Sequence, residues 1–155
     1  MKRMICVFLT VFMLVTLLPV RSMAAEEARE NVNYIYYEDG SYLKITIEEI
    51  RSASRAINNV TGSKRMDYNG SDGELYWSAV LRGSFAYDGT TAVCASSSCD
   101  VTIYGSSFYL DSKETGKSGN CAYVSFVIGR KILGIQFMPT TYEMTLYCDK
   151  NGNLS

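Results

Sequence analysis

The residues most often used for acid–base catalysis near neutral pH are missing, since the 155-residue chain contains no histidine. A Ser-His-Asp or Cys-His arrangement therefore cannot form. Serine with lysine is formally possible, but Ser63 and Lys64 lie in a polar, strand-like stretch where an exposed lysine stays protonated. The sequence gives no support to nucleophilic catalysis.

Three pairs of neighbouring carboxylates remain as candidates for glycosidase-type chemistry. That chemistry needs two carboxyl groups that converge across a cleft, whereas local pairs of this kind are usually solvated surface groups. We therefore predict a protein that is not an enzyme and uses no cofactor. The pairs are Glu48 with Glu49, Asp72 with Glu74, and Asp111 with Glu114.

The loop before the only tryptophan has some features of a calcium site. Oxygen-bearing side chains recur along it, with glycines between them and a later glutamate. However, the glycine is displaced by one position and the last carboxylate is too near for the EF-hand pattern, whereas a hairpin turn explains every residue. We predict no metal site, and calcium is the weaker alternative. Its ligands would be Asp67, Asn69, Ser71, Asp72 and Glu74.

The cysteines favour disulfides over a metal site. There is no CxxC pair and no histidine, so zinc lacks its usual ligand spacing. Once Cys6 is lost with the N-terminal segment, four cysteines remain, which in a small exported chain predict two disulfides with three possible connectivities. Their positions near strand ends favour Cys94 with Cys148 and Cys99 with Cys121, while the other connectivities stay open.

The first residues have the pattern of a secretory signal peptide. Lys2 and Arg3 precede an almost wholly apolar run over residues 4–20, and small residues then fit cleavage after Ala24 or Ala25. The run is at the short limit for spanning a bilayer, so an uncleaved anchor is the weaker alternative. We expect a secreted, extracellular protein, either free or held at the cell envelope by non-covalent contacts.

The charge of the mature chain limits its partners. Cleavage removes three basic residues and leaves 12 basic against 16 acidic ones, a net charge of −4. A nucleic-acid or anionic-membrane partner would favour a basic face. We therefore expect a protein or glycan ligand of unknown identity, no nucleic acid, and no stable membrane insertion after removal of the signal.

Turn residues and alternation predict a β protein. Asp39-Gly40, Asn69-Gly70 and Asp88-Gly89 are typical of tight hairpin turns. Between the last two, alternating apolar residues predict a half-buried strand. Its core face would comprise Leu75, Trp77, Ala79, Leu81 and Phe85.

The spacing of these signals predicts seven to nine short strands in a single antiparallel β-sandwich, with an immunoglobulin-like topology as the preferred form. Residues 1–25 form the signal peptide. Residues 26–58 form an N-terminal arm with a hairpin and a linker of marginal helical pattern, and residues 59–155 form the sandwich. Its first strand, over residues 60–68, has the polar composition of an edge strand.

Four breaks are expected inside the sandwich. Ser96–Ser98 would connect two strands, and residues 111–120 would form a loop with exposed lysines. Gly129-Arg130-Lys131 would turn the chain. Pro139 would separate the last two strands, because proline cannot donate to a strand ladder.

The 12 tyrosines exceed what a core of this size needs, so some must face solvent. Exposed tyrosines offer flat contact surface for sugars or protein partners. The alternative, which we favour, is that they cover sheet faces and stabilise cross-strand pairs.

Several segments resemble an uncharacterised family of small secreted proteins from Gram-positive, Clostridia-like gut bacteria. They are Tyr68–Ser78, Gly83–Gly89, Ser118–Asn120 and Thr145–Ser155, and the likeness extends over roughly residues 36–155. The resemblance implies that Cys94 and Cys148 are common to the family, which supports their pairing, whereas Cys99 and Cys121 are additions. No activity is assigned to this family.

The sequence thus predicts a secreted, non-enzymatic β-sandwich that acts as an extracellular or cell-envelope interaction module. Two alternatives stay open. One is an enzyme that acts on envelope glycans through a carboxylate pair, and the other is a secreted, bacteriocin-like antagonist.

Overall fold

The structure of the protein is a computed structural model that describes residues 28–52 and 58–155. The predicted signal peptide, with its cleavage positions Ala24 and Ala25, lies outside the described residues. So do residues 53–57 of the predicted linker.

The described chain is all-β and contains no helix. Eight antiparallel strands form two sheets, one of five strands and one of three. The fold class predicted from the sequence is therefore confirmed, although the strands are longer than expected. The strands are β1 (Ala28–Tyr36), β2 (Tyr42–Ser52), β3 (Asn58–Asn69), β4 (Leu75–Tyr87), β5 (Ala92–Ile103), β6 (Phe108–Ser118), β7 (Cys121–Ile132) and β8 (Ile135–Tyr147).

Each sheet is a simple meander. The five-stranded sheet has the order β1-β2-β3-β4-β5 and the three-stranded sheet has the order β6-β7-β8, so every hydrogen-bonded neighbour is also a neighbour in sequence. Immunoglobulin sheets instead exchange strands between the two layers through Greek-key connections. The immunoglobulin-like topology is therefore not confirmed.

The N-terminal hairpin is part of the sandwich. β1 and β2 pair through a turn at Asp39-Gly40, as the sequence predicts, and β2 pairs along its length with β3. Residues 28–52 thus belong to the five-stranded sheet rather than to a separate arm, and residues 48–52 are strand rather than helix. For the same reason β3, expected at an edge, lies between β2 and β4.

Two segments that the sequence predicts to interrupt the strands are themselves strand. Ser96–Ser98 lie inside β5, where a register shift against β4 accommodates one extra residue. Most of the predicted loop over residues 111–120 lies in β6, because its backbone pairs with β7. Lys113 and Lys117 donate hydrogen bonds to backbone carbonyls of β5.

The last two strands also differ from the prediction. Pro139 is inside β8, which is tolerated because β8 is an edge strand and the ladder with β7 shifts register there. The turn expected at residues 129–131 instead falls at Leu133-Gly134, since β7 continues to Ile132.

The core lies between the two sheets. Trp77, Ala79, Leu81 and Phe85 of β4 are at most 1% exposed, whereas Leu75 is only half-buried. The Trp77 ring contacts two rings of the opposite sheet, with centroid distances of 5.6 Å to Phe126 on β7 and 4.8 Å to Tyr142 on β8. The Trp77 ring therefore lies between the two sheets.

Replacing Trp77 provides a test of this core. Trp77→Ala leaves a cavity between the sheets, so we expect a loss of about 3–5 kcal/mol in the free energy of unfolding. Trp77→Phe should lose less, because the phenyl ring still fills most of the space between the sheets, and both variants remove an indole Nε1–H that has no hydrogen-bond partner among the described residues. Urea unfolding followed by circular dichroism measures both. Equal losses in the two variants would contradict the proposed role of the ring.

Candidate functional site

The four cysteines are buried free thiols in the structure, and three of them gather at the turn between β6 and β7. The Cys94 amide donates to Gly119 O at 2.8 Å and the Cys148 amide donates to Asn120 O at 3.0 Å. Cys121 follows that turn directly. Burial raises the pKa of the Cys94 thiol, and the nearby Cys121 thiol adds to this increase.

Cys99 lies elsewhere. It is five residues further along β5 than Cys94, roughly 16 Å at a rise of about 3.3 Å per residue. A disulfide needs Cα atoms within about 7 Å of each other. The predicted pairing of Cys99 with Cys121 is therefore incompatible with the fold, whereas Cys94 and Cys148 lie beside the same turn.

The three carboxylate pairs lie on β2, on β6 and in the turn before β4. Glu48 and Glu49 alternate along β2, so that Glu48 is exposed while Glu49 is buried and accepts a hydrogen bond from the Leu154 amide. Asp111 and Glu114 lie on β6, where both are exposed. Asp72 accepts the Glu74 amide at 3.0 Å and thus serves the turn itself.

Three of the five candidate calcium ligands, Asp67, Asn69 and Asp72, make other contacts. Asp67 is held by Arg65, whose Nε lies 2.8 Å from both carboxylate oxygens. Asn69 donates to the Asp67 carbonyl, and Asp72 accepts both the Glu74 amide and the Tyr76 hydroxyl. Within residues 28–52 and 58–155, no group of three acidic, histidine or cysteine side chains is placed to hold a metal ion.

Three tyrosines cover glycines and so have the structural role favoured from the sequence. The Tyr123 ring lies over Gly116, its partner in the β6–β7 ladder, and the Tyr109 ring lies over Gly129 in the same way. Tyr87 covers Gly152 of the C-terminal tail. A Cβ atom at any of these glycines would lie within 2.4 Å of the ring, so the contacts are close.

Three other tyrosines form a row on β1 and β2, the tyrosine ladder of Tyr34, Tyr36 and Tyr42, in which Tyr34 and Tyr36 are exposed and Tyr42 is half-buried. Tyr34 and Tyr36 stack with ring centroids 6.2 Å apart, and Tyr42 lies 5.6 Å from Tyr36. Tyr36 is 71% exposed. The ladder lies on the outer face of the sheet, because the neighbouring Leu43 points into the core.

A concave feature lined by aromatic groups lies at one end of the sandwich, and we call it the end pocket. Its volume is about 360 Å³. It lies where β4 and β6 begin and where β5 and β7 end. Tyr76 and Phe108 form its aromatic wall, with ring centroids 5.1 Å apart. Its lining residues are Glu74, Leu75, Tyr76, Tyr104, Gly105, Ser106, Ser107, Phe108 and Arg130.

Local turn chemistry fixes the loops around the end pocket. The amides of Tyr104 and Gly105 both donate to Tyr76 O at 2.9 Å, which ties the β5–β6 connection to β4. Gly40 of the first turn packs against Ser71 of the second, at 3.2 Å from the position of a Cβ atom. The pocket is therefore built on constrained backbone rather than on a long loop.

Charges of both signs surround the end pocket. The Arg130 guanidinium lies 5.1 Å above the Phe108 ring and forms no hydrogen bond or ion pair with another described residue. Hydrogen bonds from Ser41 lower the pKa of Asp39, and Arg130 adds to this effect. Burial raises the pKa of Tyr76, with Asp72 adding to the increase. An aromatic wall with a cation, a carboxylate and hydroxyl groups can stack on a ligand and hydrogen-bond to it.

The end pocket is not among the sites predicted from the sequence. The sequence indicates Glu74 only as a member of a local acidic pair and as a weak calcium ligand, and Arg130 only as part of a turn. An available signal was the group Tyr104-Gly-Ser-Ser-Phe108, which combines small polar residues with flanking aromatic residues.

No helix within the described ranges is long and apolar enough to span a membrane. Comparison of the chain with models of known protein families, with curated proteins and with solved structures found no match.

The pKa of Tyr142, whose ring contacts Trp77 in the core, provides a pH test. Burial raises this pKa to about 12, with Tyr37 and Tyr68 adding to the effect. The unfolded chain loses the proton near pH 10, so the stabilising effect is complete below that pH and declines as the pH rises towards about 12. Urea unfolding over this range should show falling stability, and Tyr142→Phe should flatten the decline. An unchanged slope in the variant would contradict the assignment.

Proposed function

We propose that the protein is a secreted, non-enzymatic β-sandwich that binds a glycan of the cell envelope through the end pocket. The observation that carries the proposal is the Tyr76–Phe108 wall with Arg130 above it. A sugar ring can stack on such a wall while its hydroxyl groups bond to Ser106, Ser107 and Glu74. A volume of about 360 Å³ is within the range for small-ligand sites.

Binding without turnover is favoured by the arrangement of the acids. Glu74 is the one carboxylate among the lining residues, and its neighbour Asp72 is engaged by the Glu74 amide and the Tyr76 hydroxyl. A retaining or inverting glycosidase needs two carboxyl groups on opposite sides of the scissile bond. The end pocket has one such carboxyl group, that of Glu74.

Extracellular location is the second part of the proposal, and the N-terminal targeting pattern supports it. A disulfide between Cys94 and Cys148 would fit an oxidising compartment, since both residues lie beside the β6–β7 turn. Such a bond would link the start of β5 to the segment after β8 and so join the two sheets. Cys99 would remain a thiol.

Ligand binding is tested with insoluble cell envelope from the source culture, before and after enzymatic removal of its protein. We expect saturable binding by the mature protein that survives protease treatment. Arg130→Gln and Phe108→Leu should each weaken it by at least about tenfold, because each removes part of the wall or its cation. The matched control is Arg82→Gln, an exposed arginine paired with Asp100 outside the pocket.

Other outcomes of this experiment select the alternatives. Binding that is lost after protease treatment would indicate a protein ligand. Release of soluble sugar that Glu74→Gln abolishes would indicate the enzyme, and inhibition of neighbouring cells by the pure protein would indicate the antagonist. Equal binding by the pocket variants and the wild type would show that the end pocket is not the binding site.

The disulfide is tested by intact mass. We expect the secreted protein to gain two hydrogens on reduction, as one disulfide requires. Cys94→Ser or Cys148→Ser should remove this gain, whereas Cys99→Ser should leave it unchanged. A gain of four hydrogens would contradict the placement of Cys99, because it requires a second disulfide.

A further inference from the structure

The hairpin between β7 and β8 exposes a group of apolar side chains. Ile132 is 54% exposed, Leu133 98%, Ile135 61% and Phe137 44%. We call residues 130–137 the hairpin tip. Ile132 pairs with Ile135 in its ladder, and Arg130 pairs with Phe137. Large exposed apolar groups that lie together usually mark an interaction surface.

The turn of the hairpin tip has an unfavourable residue for its backbone. Leu133 has φ 52° and Gly134 has φ 80°, which is the pattern of a type I′ turn. Asparagine, aspartate or glycine is preferred at the first of these positions. Leu133 is the one non-glycine residue with positive φ in residues 28–52 and 58–155. Folding alone favours another residue here, so the exposed leucine calls for a functional explanation.

Basic groups lie at the base of the hairpin tip. The Arg130 guanidinium lies 5.1 Å above the Phe108 ring, and the Lys131 ammonium group lies 5.2 Å from the centroid of the Tyr109 ring. The cation–π contacts hold both charges behind the apolar end. The hairpin tip therefore has an apolar end, followed by two cations and then by aromatic rings.

We propose that the hairpin tip inserts into the interfacial region of a phospholipid bilayer, as a reversible and peripheral contact. The order of groups matches the order of layers in a membrane, with the apolar end among the acyl chains and the cations at the level of the phosphates. The two to three residues beyond Arg130 reach roughly 7–10 Å, which is the depth of interfacial insertion. A bilayer also accepts a convex apolar protrusion without a complementary pocket.

Charge distribution makes this contact compatible with a mature net charge of −4. Arg130 and Lys131 face anionic headgroups at the tip, although Asp39 lies close enough to Arg130 to offset part of its charge. We therefore expect insertion of the apolar residues to contribute most of the affinity, and anionic lipid to strengthen it. The contact does not depend on a glycan in the end pocket.

The test is flotation of the mature protein with vesicles of phosphatidylcholine, alone or mixed with phosphatidylglycerol. The wild type should float with both and more strongly with the mixture. Leu133→Asn should lower the partition coefficient roughly tenfold, since it removes one buried leucine side chain. The substitution suits the positive φ, so its unfolding midpoint in urea should not fall. Val93→Asn is the matched control, at a 55% exposed position on β5.

A fluorescence measurement reports the depth. Ile132→Trp should show emission that shifts to shorter wavelength and is quenched by brominated lipid. The wild type should not respond, because its only tryptophan, Trp77, is buried. The proposal is overturned if the wild type does not float, if Leu133→Asn floats as well as the wild type, or if Ile132→Trp is not quenched. Capture of an envelope protein that Leu133→Asn abolishes, without flotation, would assign the hairpin tip to a protein partner instead.

Discussion

The aromatic contact between the two sheets is the interaction on which the rest of the structure depends. Trp77 stacks on Tyr68 of its own sheet at an interplanar angle of 14° and meets Tyr142 and Phe126 of the other sheet. Because each sheet is a separate meander, no ladder of backbone hydrogen bonds between named strands joins them. Burial of these rings therefore holds the layers together, and the hydrogen bonds from Lys113 and Lys117 to β5 add to their alignment.

Local physical chemistry made part of this fold predictable. The alternation along β4 and the Asp-Gly and Asn-Gly turns are properties of adjacent residues, so the hairpins they predict are present. The predictions that were wrong concern contacts between residues far apart in the sequence. Ser96–Ser98 and Pro139 have the composition of breaks, but Ser96–Ser98 pair with β4 in the ladder, and Pro139 lies at a register shift in an edge strand. Sequence composition does not record which neighbour a strand will have.

The end pocket was not predictable for the same reason. Glu74, Tyr104, Phe108 and Arg130 come from the ends of four strands and meet only because the meanders pack in one register. Their types carried a weak signal, since aromatic and small polar residues recur near turns. The disulfide pairing also depends on the fold. Four cysteines allow three sets of two disulfides, and the geometry of β5 places Cys99 away from the other three cysteines.

The turns at the end of the sandwich that carries the pocket differ in how their side chains stabilise the backbone. At the first two turns, Asp39 and Asp72 accept backbone amides and so stabilise the backbone they belong to. At the last turn, Leu133 accepts no amide and exposes 98% of its surface. The Leu133 side chain thus neither bonds to the backbone of its turn nor joins the core. Together with the exposed Ile132 and Ile135, it forms the apolar surface that we assign to binding.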